Sequence, residues 1–304
     1  MARTDTLGNF LTDVAEAIRT KEGTTETIPA SEFDTRISNL SGGGSSNEFK
    51  PRYVSFYFFD ENDLTNEIST LDTSEITDMS NMFYYCRNVK TLDLSNFNTS
   101  KVTKMGSMFY NCLALKTIDF TGWDTSNVTY MYGMFNGCHV LESPDLSGFN
   151  MSKVTDIGSM FSGCQHYITT LDLNMWDVSS VTNMRSAFNG CAKLSSLNVK
   201  DWDTTNCEDM MHLFRDCSSL TSLDLSGWVT SKLTGTYYMF GGCKALSHID
   251  MRNFDFSKVT SHSNMFYQVP TNCEIIVKDD DAKTWITSNF TTLTNVKTVA
   301  EYEA

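Results

Sequence analysis

LDLSNFNTSKVTKMGSMFYNCLALKT, residues 92–117, is followed directly by IDFTGWDTSNVTYMYGMFNGCHVLES, residues 118–143. PDLSGFNMSKVTDIGSMFSGCQHYITT, residues 144–170, comes next, and further units begin at Leu171, Leu197, Leu223 and Ile249. A truncated unit, LDTSEITDMSNMFYYC, begins at Leu71. The period is 26 residues, with one unit of 27 over 144–170. Self-similarity at such a fixed period is the mark of a stacked repeat architecture, because each unit leaves an apolar face that only its neighbours can cover.

Within a unit, Leu115-x-x-Ile118-x-Phe120 has the spacing of a short strand with alternate side chains turned inward. Three residues on stands an aromatic: Phe97, Trp123, Phe149, Trp176, Trp202, Trp228 or Phe254. Met105, Met108, Phe109 and Cys112 follow at i, i+3, i+4 and i+7, which predicts a short helix with Ser100 or Thr103 at its start. The expected fold class is therefore α/β: a leucine-rich-repeat solenoid with a parallel sheet on the concave side and short helices on the convex side. Adjacent strands lie ~4.8 Å apart, so about eight coils predict a curved rod of roughly 40 Å.

The repeated pattern L-x-x-L-D-L-S-x-[FW]-[DN]-T-S-x-V-T-x-M-x-x-M-F-x-x-C resembles the BspA-like leucine-rich-repeat surface proteins over about residues 71–278. That resemblance implies the leucine-rich-repeat fold and a role in adhesion at bacterial or host surfaces. It brings no catalytic residues.

The ends do not repeat. Leu7, Phe10, Leu11, Val14 and Ile18 form an apolar stripe at helical spacing. Ser31 opens a second short helical stretch that carries Phe33 and Ile37. Residues 1–40 predict a small helical attachment segment that is too short for a core of its own and so docks or oligomerises. Residues 41–47, SGGGSSN, are a flexible linker. Residues 48–70 predict a strand capping the solenoid, 71–273 the repeats, and 274–304 a C-terminal cap of strand, helix and strand. Within the first segment, LTDVAEAIRTKEGTTETIPASEFDTRISNL (11–40) resembles N-terminal segments of tail and other virion proteins in phages of Gram-positive bacteria. By that resemblance, residues 1–40 attach the chain to other virion proteins through the apolar residues just named.

Composition narrows the function. Acidic residues outnumber basic ones 37 to 23, a formal charge of −14, so neither a nucleic acid nor an anionic membrane is an expected partner. No apolar run approaches the ~20 residues needed to cross a bilayer, so no membrane insertion is expected. The start, Met1 to Thr6, lacks the basic and then apolar regions of a secretory signal. The expected location is thus a virion assembled in the host cytoplasm and exposed on the particle; the alternative is the bacterial cell surface.

Seven of the nine cysteines share one repeat position: Cys86, Cys112, Cys138, Cys164, Cys191, Cys217 and Cys243. An odd column without a secretory signal predicts buried thiols, with disulfides between neighbouring coils as the alternative. No zinc spacing occurs and the five histidines are scattered, so no metal site, cofactor or catalytic triad is expected.

Between the inward strand residues stands a polar column: Asp93, Asp119, Asp145, Asp172, Asn198, Asp224 and Asp250. Hydroxyl columns flank it, Thr91 to Ser222 on one side and Ser95 to Ser226 on the other. Lys200, His248 and Arg252 break the pattern on the same strands. These carboxylates either accept hydrogen bonds as part of the repeat, or form with Lys200 and Arg252 a surface for a host glycan or a cationic protein patch. Calcium is the weaker use, since D-x-D-x-D spacing is absent beyond Asp279-Asp280-Asp281. A uniform column gives no pair of carboxylates with contrasting environments, so a glycosidase is not expected. The expected function is receptor binding by a phage tail or baseplate protein. The alternatives are a bacterial adhesin or a decoration protein without receptor, and self-association of the chain is a further option.

Overall fold

The computed structural model describes Ile68 and residues 71–304. The attachment segment expected over residues 1–40 (with Leu7, Phe10, Leu11, Val14, Ile18, Phe33 and Ile37), the linker and the opening strand lie outside the described residues.

The repeats stack as a parallel solenoid of leucine-rich repeats. Short strands at Thr91–Asp93 (β1), Thr117–Asp119 (β2), Thr170–Asp172 (β3), Ser196–Asn198 (β4), Ser222–Asp224 (β5) and His248–Met251 (β6) lie one coil apart. Equivalent residues pair in register: Leu92 with Ile118, Leu171 with Leu197, Leu223 with Ile249. In β1, β3, β4 and β5 the inward leucine is buried while its neighbours are exposed. A strand at Glu274–Val277 (β7), a helix at Asp280–Asn289 (α1), a strand at Val296–Thr298 (β8) and a short helix at Val299–Glu303 (α2) complete the chain. β7 and β8 extend the β5–β6 sheet in parallel order.

The expected helices on the far side are replaced by turns. Met105, Met108, Phe109 and Cys112 are fully buried, so the burial spacing holds, but the backbone is not helical. Ser107 and Asn111 have positive φ, 52° and 56°, and the matching residues of the next coil are Gly133 and Gly137, at 62° and 76°. A left-handed residue every four positions points alternate N–H groups along the stacking axis and away from the coil's own carbonyls. Met105, Ser107, Phe109 and Asn111 accordingly donate to Tyr130, Tyr132, Met134 and Asn136 of the next coil, at 2.7–2.9 Å. Tyr110 and Cys112 donate three residues back, to Ser107 and Phe109. The same four side chains face inward as in a helix, which is why the spacing alone did not separate the two. The separating signal is the residue before six of the seven column cysteines: Asn111, Gly137, Gly163, Gly190, Asp216 and Gly242 are poor helix formers that tolerate positive φ, while Tyr85 before Cys86 adopts it, at 64°, without that signal. Thr103 caps no helix; its hydroxyl donates to the Thr77 carbonyl one coil away.

The turn-side ladder is unbroken from Asp78 through Lys104, Tyr130, Asp156, Asn183, Asp209 and Gly235 to Ser261. The strand side is interrupted. Pro144 stands at the inward strand position that Leu92 and Ile118 hold in the preceding coils, lacks an N–H to donate, and that coil carries no strand. The ladder lapses again between β4 and β5.

Two aromatic columns and one thiol column share the interior with the buried leucines and methionines. Phe83, Phe109, Phe135, Phe161, Phe188, Phe214, Phe240 and Phe266 stack with centroids 5.3–5.8 Å apart. Trp176, Trp202, Trp228 and Phe254 form a second stack. The Trp202 and Trp228 indoles donate to the Leu173 and Val199 carbonyls of the preceding coil, at 2.8 and 2.7 Å. Seven cysteines form the third column, and these together with Cys207 and Cys273 are free and buried. Cys112, Cys138, Cys217 and Cys243 donate to the preceding coil's Phe83, Phe109, Phe188 and Phe214 carbonyls at 3.0–3.1 Å. A thiol thus fills a small apolar space and offers a weak donor where an alanine could not. Burial pushes Cys191 and Cys243 up to about 12, so these thiols stay protonated and unreactive.

Candidate functional site

The polar column stands on the strand face as expected. Asp93, Asp119, Asp145, Asp172, Asn198 and Asp224 are exposed, whereas Asp250 is 6% exposed. Each aspartate accepts a hydrogen bond from the backbone N–H two residues on, as Asp93 from Ser95 at 3.1 Å and Asp145 from Ser147 at 3.0 Å. This fold-back bond tightens the turn that ends the strand. A second such column follows five residues later, with Asn98, Asp124, Asn150, Asp177, Asp203 and Asp255 in the same role. Turn formation is therefore one duty of each aspartate of the column. Hydrogen bonds from Ser95 and Ser147 hold the Asp93 and Asp145 carboxyls below their usual range.

The C-terminal end of the face forms a concavity. Lys200, Ser222, Asp224, Ser226, His248, Asp250, Arg252 and Tyr302 line a groove of about 500 Å³. Lys200 and Arg252 occupy the column that holds Ser95, Thr121 and Ser147 in earlier coils. Lys200 Nζ reaches the next coil's Asp224 at 2.9 Å. A Cβ on Gly227 would run into the Lys200 carbonyl, so this coil junction is close enough to require glycine. Asp224 is pulled two ways: partial burial raises its pKa, but hydrogen bonds from Ser226 and Lys200 outweigh that and lower it. The same bond raises Lys200.

Arg252 clamps the carboxylate of its own coil. Its Nε and NH2 donate to Asp250 at 2.7–3.1 Å, and its NH1 donates to Glu303 of α2 at 3.0 Å. A buried carboxylate needs such a partner, and the planar fork of arginine supplies it in a fixed orientation. Beside it, His248 Nδ1 lies 3.0 Å from Glu274, which also accepts from Lys297 at 2.8 Å. Those two contacts, Lys297 first, lower Glu274.

The structure thus brings together Lys200, Asp224, Asp250 and Arg252 of the expected set, and leaves Asp93, Asp119, Asp145, Asp172 and Asn198 outside the groove. Asn198 has a separate duty: its amide donates to Asp172 at 2.9 Å and breaks the run of like charges. Tyr302 and Glu303 went unforeseen. Their signal is Thr298-x-x-Glu301, a capping box in which Thr298 and Glu301 exchange side-chain-to-backbone bonds and start α2. Asp279, from the acidic run, caps α1 by accepting from the Ala282 N–H at 3.0 Å. Among the described residues, no group of three or more His, Cys, Asp or Glu side chains is placed to hold a metal ion, and no helix is long and apolar enough to cross a membrane.

A leucine-rich repeat protein from Bacteroides ovatus is similar to this chain at 19% identity and a TM-score of 0.32. That match covers 74% of this chain and 65% of the other, so this chain spans less than two thirds of that protein's length. A leucine-rich cell surface protein from Faecalibacterium prausnitzii is similar at 17% identity and a TM-score of 0.29, covering 76% of this chain and 79% of the other. No curated protein matches the chain. One family model matches twice, over residues 53–172 and 165–278, and so spans most of the sequence. The chain belongs to that family, described as a Mycoplasma protein of unknown function, DUF285.

Proposed function

We propose that this chain is a displayed adhesion protein of the bacterial cell surface that binds, without catalysis, through the C-terminal end of its strand face. The observation that carries this reading is where the repeat pattern fails. Interior columns hold across the coils, while Lys200, His248 and Arg252 depart from the pattern and converge on one open groove. Polar side chains that break the repeat pattern and gather in one concavity are what recognition requires. The resemblance to BspA-like repeats supports the same reading. The partner is a host-surface glycan or protein.

A second reading is favoured by residues 11–40, whose sequence resembles virion segments. It displays the same solenoid on a phage tail or baseplate and gives residues 1–40 to other virion proteins. Deleting residues 1–41 separates the two: loss of incorporation into particles supports display on a virion, and unchanged export and display on cells support the bacterial adhesin. Adhesion itself is tested by binding of the full chain to candidate host cells, with Arg252→Ala/Lys200→Ala as the groove-defective control. Equal binding by the control would remove the groove from the reading.

A further inference from the structure

We infer that the groove at the C-terminal end of the strand face is a subsite for a neutral saccharide, with Tyr302 as its stacking platform and Lys200, Asp224 and Arg252 as its hydroxyl-binding groups. The assignment rests on the adhesion reading and names its ligand class. The first ground is charge. The groove pairs Lys200 with Asp224 at 2.9 Å and Arg252 with Asp250 at 2.7 Å, so cations and carboxylates cancel within it. A charged ligand would have to break one of these pairs, whereas a neutral polyol needs donors and acceptors already held in place. The second ground is geometry. Arg252 is fixed on two sides by Asp250 and Glu303, which leaves a rigid, oriented guanidinium at the groove wall. Ser226 and Lys200 fix Asp224 in turn. Preorganised polar groups of this kind give hydrogen bonds to hydroxyls at low ordering cost.

The third ground is Tyr302. It is 42% exposed although large and apolar, lines the groove, and lies 6.1 Å from the His248 ring. An aromatic face carries negative charge density that attracts the C–H face of a pyranose ring. The volume of about 500 Å³ falls in the range of small-ligand sites and admits a mono- or disaccharide unit.

The experiment uses the full chain on a glycan array with three arms: neutral microbial glucans, galactans and mannans; host-type glycans without sialic acid; and sialylated or uronic-acid glycans. Saturation-transfer NMR with methyl glycosides of glucose, galactose, mannose and N-acetylglucosamine reports on the same site. Binding in either neutral arm is expected, and which arm binds identifies the source. Tyr302→Ala should weaken it by about tenfold, the loss of one stacking contact, and Tyr302→Phe should stay within about threefold. Affinity should change little between low and high salt. Binding confined to the acidic arm overturns the assignment, as does equal binding by Tyr302→Ala. Adhesion to cells that depends on the groove, with no saccharide bound, overturns it and leaves the adhesion reading standing. A neutral saccharide bound by a chain that does not adhere supports the assignment and removes the adhesion reading.

Discussion

The two ends of the strand face carry the same acidic column and differ in what surrounds it. In the N-terminal coils, Asp93, Asp119 and Asp145 stand exposed and are held only by the Ser95, Thr121 and Ser147 turns. In the C-terminal coils, Lys200 and Arg252 replace those hydroxyl residues, the carboxylates gain ion pairs, and Asp250 sinks to 6% exposure beneath Arg252. One scaffold position is thus a turn former in the first case and part of a groove wall in the second. A repeat fixes the backbone at each column, so a single change in side-chain length and charge converts structure into a site without moving the fold.

The largest break in that contrast should come from Arg252→Ala. It leaves the Asp250 carboxylate buried without its partner, and urea denaturation should show a loss of about 2–3 kcal/mol. That lies below the range for a fully enclosed pair because the guanidinium is 29% exposed. A loss no greater than for Lys200→Ala would show that burial of Asp250 is not what separates the two ends.

Asn198→Asp sharpens the contrast from the other side. It turns a donor to Asp172, now at 2.9 Å, into a second negative charge. A destabilisation of about 0.5–1 kcal/mol is expected, and it should shrink at high salt. A salt-independent effect would locate the cause in lost packing instead.

Lys200→Ala should leave the denaturation midpoint unchanged, since the Lys200–Asp224 pair is half exposed at 52% and 48%. On the proposed reading its effect is confined to ligand binding, which equilibrium titration with the neutral methyl glycosides measures.

The smallest effect concerns titration. Asp93 and Asp145 are held low by Ser95 and Ser147, so any stability they add is present above the unfolded carboxylate range near ~3.9 and is lost as pH falls through their lower folded values. In Ser95→Ala, carboxyl NMR titration should move Asp93 up toward the ordinary value and leave Asp145 where it is. Movement of both would point to coupling along the column that the coil geometry does not provide.

The period of 26 residues, the inward leucine, the aromatic and cysteine columns, and the outward polar column were all legible in the sequence. Each follows from a periodic apolar pattern that only stacking can bury. Buried thiols were legible too, from their number and common position, although their bonds to the Phe83 and Phe109 carbonyls were not.

What tertiary structure alone decided is the backbone between the buried points. The spacing of Met105, Met108, Phe109 and Cys112 fits a helix and a turn ladder equally. The choice rests on hydrogen-bond partners one coil away, such as Tyr132 for Ser107, which a local pattern does not contain. The groove was decided in the same way. Lys200, Asp224, Asp250 and Arg252 were visible as candidates, but Tyr302 and Glu303 reach them only because β7 and β8 continue the sheet and α2 folds back over its edge. Side-chain identity at a repeat position is written in the sequence; which distant chain end closes over that position is fixed by how the coils stack.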